Sequence, residues 1–175
     1  MHLERTGLVT RAPLRGYRVA PPLTRDQIAE LCDIRLILEP GALALAFRRV
    51  DELEPALLKA HAQHLKAGAA VAGIVPDKST LSAFREYMDA DWVFHHTIFL
   101  FTDNIYLRNR ADQLPAHLQR LRHTVQWGLN DAEQAMAEHE IIVKAVQERD
   151  LPSAQQAICD HIARFKERAM QMPGE

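Results

Sequence analysis

The sequence predicts an all-α protein, an antiparallel helical bundle of six or seven helices preceded by a short N-terminal β-hairpin. Three observations carry that expectation. From Leu23 onward apolar residues recur with helical period, and no convincing strand interrupts them. Helix-start signals punctuate the chain at intervals suited to bundle helices. β-Prone runs are confined to residues 1–22.

The hairpin is read from Gly7-Leu8-Val9-Thr10 and Gly16-Tyr17-Arg18-Val19-Ala20, which flank the turn-like Arg11-Ala12-Pro13-Leu14-Arg15. Arg11 and Arg15 then sit near its tip, and Pro21-Pro22 closes the segment as a stiff linker. Thr24-x-x-Gln27 is a capping box, followed by a stripe at Ile28, Leu31, Leu38, Ala42 and Leu45. Pro40-Gly41 predicts a kink or break in that first helix. Asp51-x-x-Glu54 resembles a second capping box and opens a helix to about Ala72, with a loop from Gly73 to Asp77. A third helix is expected from about Ser79 to Phe101, and a fourth from about Asp103 to Trp127, kinked at Pro115. Asn130-x-x-Glu133 starts a fifth. Asp150 caps a sixth, with Pro152 in its first turn.

Composition narrows the function classes. A chain of 175 residues removes roughly 70% of its unfolded surface from water, enough for a core without staples. Lys plus Arg is 21 against 23 Asp plus Glu, so a broad basic surface for nucleic acid is not expected. No apolar run reaches the roughly 18 residues needed to span a bilayer. Met1-His2-Leu3-Glu4-Arg5 has no apolar signal core behind it, and Cys32 and Cys159 make no disulfide framework. The expectation is a soluble cytoplasmic chain whose cysteines are small core fillers. The unusual count is nine histidines.

The informative residues are polar ones lying in apolar stripes. On the third helix the stripe is Leu81, Phe84, Met88, Asp91, Phe94/His95 and Ile98, so Asp91 and His95 share the inner face. On the fifth it is Ala135, His139, Ile142/Val143 and Val146; on the sixth, Ala154, Ala157/Ile158, His161 and Phe165. His139 lies eleven residues before Asp150, and His161 eleven after it. With Asp150 at a hairpin corner, both imidazoles sit roughly 16 Å from the turn and face each other. A buried carboxylate is costly unless it is paired or binds a cation. Asp91, His95, His139 and His161 therefore form a candidate site for a divalent ion: Zn²⁺ first, with Ni²⁺, Fe²⁺ or Mn²⁺ as alternatives. A single histidine on an apolar face is more often a hydrogen-bonded core residue. Four such groups on three helices favour metal.

Arg35 also falls within a stripe and, if buried, needs an anion. Two readings stand: a salt bridge to Glu39 or Asp33, or a ligand carboxylate held between Arg35 and the metal. His61 and His64 lie beside polar Gln63 and Lys66 and read as a solvated helix face. His96 is off the inner stripe, and His117 and His123 have no assignable partner. Trp92 points sideways, towards a neighbouring helix or a subunit contact. The sequence has no Gly-rich phosphate loop, nucleophile elbow or Cys-x-x-Cys.

These residues resemble the C-terminal effector-binding FCD domain of GntR-family transcription regulators of the FadR type. Cys32-Asp33-Ile34-Arg35-Leu36-Ile37-Leu38-Glu39-Pro40 is similar to that family's first-helix pattern. Asp91-Trp92-Val93-Phe94-His95 resembles its Asp-x-x-Phe-His metal motif, joined by Glu138-His139 and by His161. Leu3-Glu4-Arg5-Thr6-Gly7-Leu8-Val9 and Pro13-Leu14-Arg15-Gly16-Tyr17-Arg18-Val19 resemble the wing of its winged helix-turn-helix. Residues 1–22 are then a remnant wing and linker, and residues 23–175 the metal- and effector-binding domain. Arg11, Arg15 and Arg18 are candidate phosphate contacts, but the helices that enter the major groove are missing from this sequence. Either the start has been placed late in a longer reading frame, or the chain is a truncated sensor.

The resemblance implies a homodimeric sensor, not an enzyme, that binds a small organic acid between the metal and Arg35 and thereby alters DNA binding by the full-length protein. Two rivals remain. A metalloenzyme acting on a small hydroxy- or keto-acid would need a general base, and no unassigned Glu or Asp clearly lies on an inner stripe. The other is a metal-free interaction domain with a structural polar core.

Overall fold

The computed structural model describes residues 9–12, 16–21, 23–75, 77–112 and 131–171. Pro115, His117, His123, Asn130 and the predicted fourth helix beyond residue 112 lie outside the described residues, as does Arg15.

Strands β1 (Val9–Ala12) and β2 (Gly16–Val19) pair antiparallel, with Val9 opposite Val19 and Ala12 opposite Gly16. Helices follow as α1 (Arg25–Ala46), α2 (Val50–Ala69), α3 (Leu81–Leu100), α4 (Ile105–Ala111), α5 (Ala132–Gln147) and α6 (Leu151–Met170). A single 3₁₀ turn, Phe47–Arg49, joins α1 to α2. Among the described residues the helix count is thus six, preceded by the hairpin.

Local chemistry explains most boundaries. Thr24 and Gln27 cap α1 reciprocally, each side chain accepting from the other's backbone N–H at 3.2 Å. Asp150 accepts from the Ser153 N–H at 3.1 Å, and Pro152 occupies the first turn of α6. Asp51 and Glu54, by contrast, cap nothing: α2 already begins at Val50. Their carboxylates instead hold Arg149, at the corner between α5 and α6, at 2.9 and 2.6 Å. Nor does Pro40 break α1, which runs on to Ala46. Proline removes one N–H from the ladder, but the next turns are held by burial of Ala42, Leu43 and Ala46, and the Pro40 carbonyl accepts from Gln155 of α6 at 2.9 Å.

The long helices close a ring. α1 packs on α6 and α3, α3 also on α2, α2 on α5, and α5 on α6. Leu43, Leu53, Phe94, Ile98, Ile142, Ile158 and Ile162 fill its interior. Gly68 of α2 lies directly beneath the Met136 side chain of α5, which would have to move to admit a Cβ. Cys32 is buried as expected, whereas Cys159 is only half-buried. No helix among the described residues is long and apolar enough to cross a membrane.

Candidate metal centre

All five helices of the ring send a polar side chain into its middle. α3 supplies Asp91 and His95 from successive turns, α5 supplies His139, and α6 supplies His161. One donor atom from each of these four lies within 4.8 Å of every other. His95 and His139 are completely buried and His161 nearly so, while 27% of the Asp91 side chain is reached by solvent. The cluster therefore opens towards Asp91.

Its distances fit a coordination shell better than a hydrogen-bond network. His139 Nε2 lies 3.2 Å from His95 Nε2, 3.4 Å from His161 Nε2 and 3.6 Å from Asp91 Oδ1. Ligands bound tetrahedrally to zinc at 2.0–2.1 Å are separated by about 3.3–3.4 Å. The proton count points the same way. His161 Nδ1 donates to Glu138 Oε2 at 2.8 Å, and His95 Nδ1 lies 2.8 Å from Glu39 Oε2. An ionised carboxylate only accepts, so the His161 proton sits on Nδ1 and its Nε2 is a bare lone pair, whereas His95 Nδ1 and Glu39 Oε2 approach without forming a hydrogen bond. Two acceptors, His161 Nε2 and Asp91 Oδ1, then converge on His139 Nε2, which has at most one N–H to share between them. A divalent cation resolves that surplus, and the residues fit one.

Carboxylates behind the imidazoles are themselves held. Arg35 Nε donates to Glu39 Oε1 at 2.6 Å, both groups being buried. Burial opposes charge on Glu39, but Arg35 and His95 outweigh it and hold the carboxyl well below its usual range. Burial likewise opposes charge on Glu138, yet its bonds to His161 and Arg168 bring it down to about 2. Arg168 grips Glu138 at 2.8 and 3.1 Å and Asp131 at 3.1 Å. Burial pushes His161 down to about 4 against the pull of Glu138, and drives His139 well below the ordinary imidazole range with help from the neighbouring rings. Such rings stay neutral, as metal ligands must. Burial also opposes charge on Asp91, but the surrounding imidazoles lower it.

His139 has its own support. Phe94 stacks on it with ring centres 3.9 Å apart, and His64 Nδ1 lies 3.0 Å from His139 Nδ1. His64 is fully buried and His61 almost so, which corrects their reading as a solvated face. Gln63 and Lys66 belong to the opposite side of α2; the buried series Leu53, Leu57, Ala60, His61, His64 and Gly68 was the signal to follow. Glu39 and Glu138 also correct the expectation that no further acidic residue lies inside. On α1 the buried stripe passes through Glu39, and Leu38 is only half-buried.

Arg35 is buried and pairs with Glu39, so the salt-bridge reading holds for its Nε. Its Nη2 is buried with no hydrogen-bond partner, leaving one donor for something else. His96 lies outside the cluster, bonded to Asp112 at 2.8 Å, with Trp92 tilted beside it. Arg18 is on the exposed β2 strand, and nothing is described of the Arg11 side chain.

The fold and the site define a class: an all-helical domain built around a buried polyhistidine centre. The chain belongs to the FCD family, whose domain model matches residues 30–164. No curated protein is significantly similar to it. Among solved structures it is similar to Escherichia coli McbR/YncC, with TM-score 0.75 and 17% identity, covering 97% of this chain and 76% of that one. It is also similar to Lar of Listeria monocytogenes, which controls expression of the agr system (TM-score 0.71, 18% identity, 98% of this chain and 77% of that one). A third is GntR of Streptococcus agalactiae, with TM-score 0.57 and 18% identity, covering 95% of this chain and 77% of that one. Membership of the FCD family supports a regulatory ligand-sensing domain, and the neighbours share its fold.

Proposed function

We propose that this chain is the metal-dependent sensor domain of a GntR/FadR-type transcription regulator. Asp91, His95, His139 and His161 hold a divalent ion, Zn²⁺ before Ni²⁺, Mn²⁺ or Fe²⁺. The observation that carries this reading is the convergence of their donor atoms within 4.8 Å, with buried carboxylates behind two of the imidazoles. When bound, the ion supplies open coordination positions to an anionic ligand. A small organic acid would enter from the Asp91 side, with one carboxylate oxygen on the ion and another on the free Nη2 of Arg35.

Effector binding would favour one arrangement of a cytoplasmic homodimer and so change operator affinity in a form carrying complete DNA-binding helices. Residues 1–22 fit the wing and linker of that unit, with Arg11 and Arg15 as weak phosphate contacts, and residues 23–175 fit the sensor. Ile34 and Ile37, exposed on the outer face of α1, support burial against a second subunit.

Calorimetric titration of the zinc-loaded protein with small hydroxy-, keto- and dicarboxylic acids tests the effector reading. Arg35→Lys keeps the charge beside Glu39 but loses the planar fork. It should weaken acid binding about tenfold or more while leaving metal content unchanged. Equal loss of both would make Arg35 a structural residue, and no binding of any acid by a metal-loaded sample would overturn the effector reading.

A further inference from the structure

Three imidazoles next to the first centre form a group of their own. His61, His64 and His139 each offer one ring nitrogen within 4.8 Å of the other two, and all three side chains are buried. We propose that they form a second divalent-cation site, sharing His139 with the first.

His61 has the same outward support as the ligands of the first centre. Its Nε2 lies 2.8 Å from Glu140 Oε2, as His161 Nδ1 does from Glu138. The carboxylate accepts, so Nε2 carries the proton and Nδ1 is left as a lone pair. That Nδ1 is buried and has no hydrogen-bond partner. Leaving such an atom dry carries the desolvation penalty of an unsatisfied buried acceptor, which a cation removes. His64 brings Nδ1, which stands 3.0 Å from His139 Nδ1, while its Nε2 turns towards Asp91 Oδ1 at 3.7 Å. A separation of 3.0 Å suits two ligands of one ion as well as it suits a hydrogen bond.

Aromatic walls fix all three rings. Tyr87 stacks on His64 at 5.1 Å, Phe94 stacks on His139, and the Phe94 edge meets His61 at 6.0 Å. Three nitrogen donors and no carboxylate suit Zn²⁺, Ni²⁺ or Cu²⁺, and not Mg²⁺ or Ca²⁺.

The proton balance follows from sharing. Neutral His139 has one N–H; when Nε2 binds the first ion, that proton sits on Nδ1, facing His64. A second ion held by His61, His64 and His139 would displace that proton to solvent and leave His139 as an imidazolate. Two nearby cations repel each other, so the second ion binds more weakly than the first. Only the shared role of His139 rests on the proposed function; His61 belongs to the new site alone, and His64 lies between it and Asp91.

Titration of the chelator-stripped full chain with Zn²⁺, against a competing chromophoric chelator, tests this. The wild type should take up two ions in sequence, one tight and one weaker. Asp91→Ala, which removes a ligand of the first centre only, should lose the tight ion and keep one. His61→Ala should lose only the weaker ion, and the gentler His61→Gln should weaken it about tenfold or more. Circular dichroism confirms that each variant is folded. One ion bound equally by wild type and both His61 variants would overturn the second site and leave the first standing. Two ions still bound by the His61 variants would also overturn it, since the second ion would then lie elsewhere. No ion bound by the wild type would overturn both sites.

Discussion

The rim and the centre of the bundle use the same pairs of charged groups to opposite ends. At the rim, Arg49 holds Glu52 and Asp103, Arg149 holds Asp51 and Glu54, and Lys166 holds Asp33, with most of these side chains open to solvent. At the centre, Arg35 holds Glu39 and Arg168 holds Glu138, with both carboxylates buried and each backing an imidazole. Water screens and replaces the rim pairs, so they staple loop corners at little energetic consequence. The central pairs have nothing to replace them. Glu138 fixes the His161 tautomer and turns its lone pair inward, and Glu39 sets a negative charge 2.8 Å behind His95.

The largest effect should therefore come from leaving one central charge alone. Arg35→Ala strands the buried Glu39 carboxylate and should cost roughly 3–5 kcal/mol, a fall in Tm of about 10 °C or more. Replacing both members, as Arg35→Met with Glu39→Leu, should recover much of that loss while weakening the ion held through His95. Thermal denaturation with and without added zinc separates the two effects. A small fall in Arg35→Ala alone would mean that the centre behaves like the rim.

Metal removal comes next. At a free concentration 100 times its Kd, an ion bound only by the folded chain contributes about 2.7 kcal/mol. Chelation should thus lower Tm by about 6–10 °C. An unchanged melting temperature on chelating a loaded sample would uncouple the ion from folding.

In the stripped protein the centre should respond to acid. His161 is depressed to about 4, and burial also holds His139 and His64 down, so the folded chain keeps these rings neutral while the unfolded chain protonates near 6.5. Stability is then fully present above pH 6.5 and is lost as pH falls from 6.5 towards 4, by on the order of 3 kcal/mol for His161. Glu138, at about 2, adds a separate loss as pH falls from 4.5 towards 2. Urea unfolding between pH 8 and 4 reads the first window, and a flat profile would contradict it. The smallest effect belongs to the rim: Lys166→Ala should barely move Tm, and less still at high salt.

Much of this was legible in the residues, for identifiable reasons. His139 and His161 are equidistant from Asp150, and helix rise is fixed, so counting alone placed their rings level; they meet at 3.4 Å. Asp91 and His95 are one turn apart, and that spacing cannot miss. His64 was misjudged because its immediate neighbours are polar, although on a helix adjacent residues face different ways. Glu39 was legible as a partner for Arg35 but not as a neighbour of His95, because the stripe was drawn through Leu38, one residue and a 100° step away. Pro40 and Asp51 show the limit of local rules: burial carried α1 through a proline, and Arg149 took the carboxylates that resembled a cap.

The central claim is that three imidazoles and one carboxylate from α3, α5 and α6 bind a single tight ion. X-ray absorption at the zinc edge, on protein loaded with one equivalent, measures that shell directly. Nitrogen and oxygen neighbours are expected at about 2.0–2.1 Å, with outer scattering from three imidazoles and loss of the pattern in His139→Ala. A sulfur shell near 2.3 Å, or an imidazole signal unchanged in His139→Ala, would contradict it.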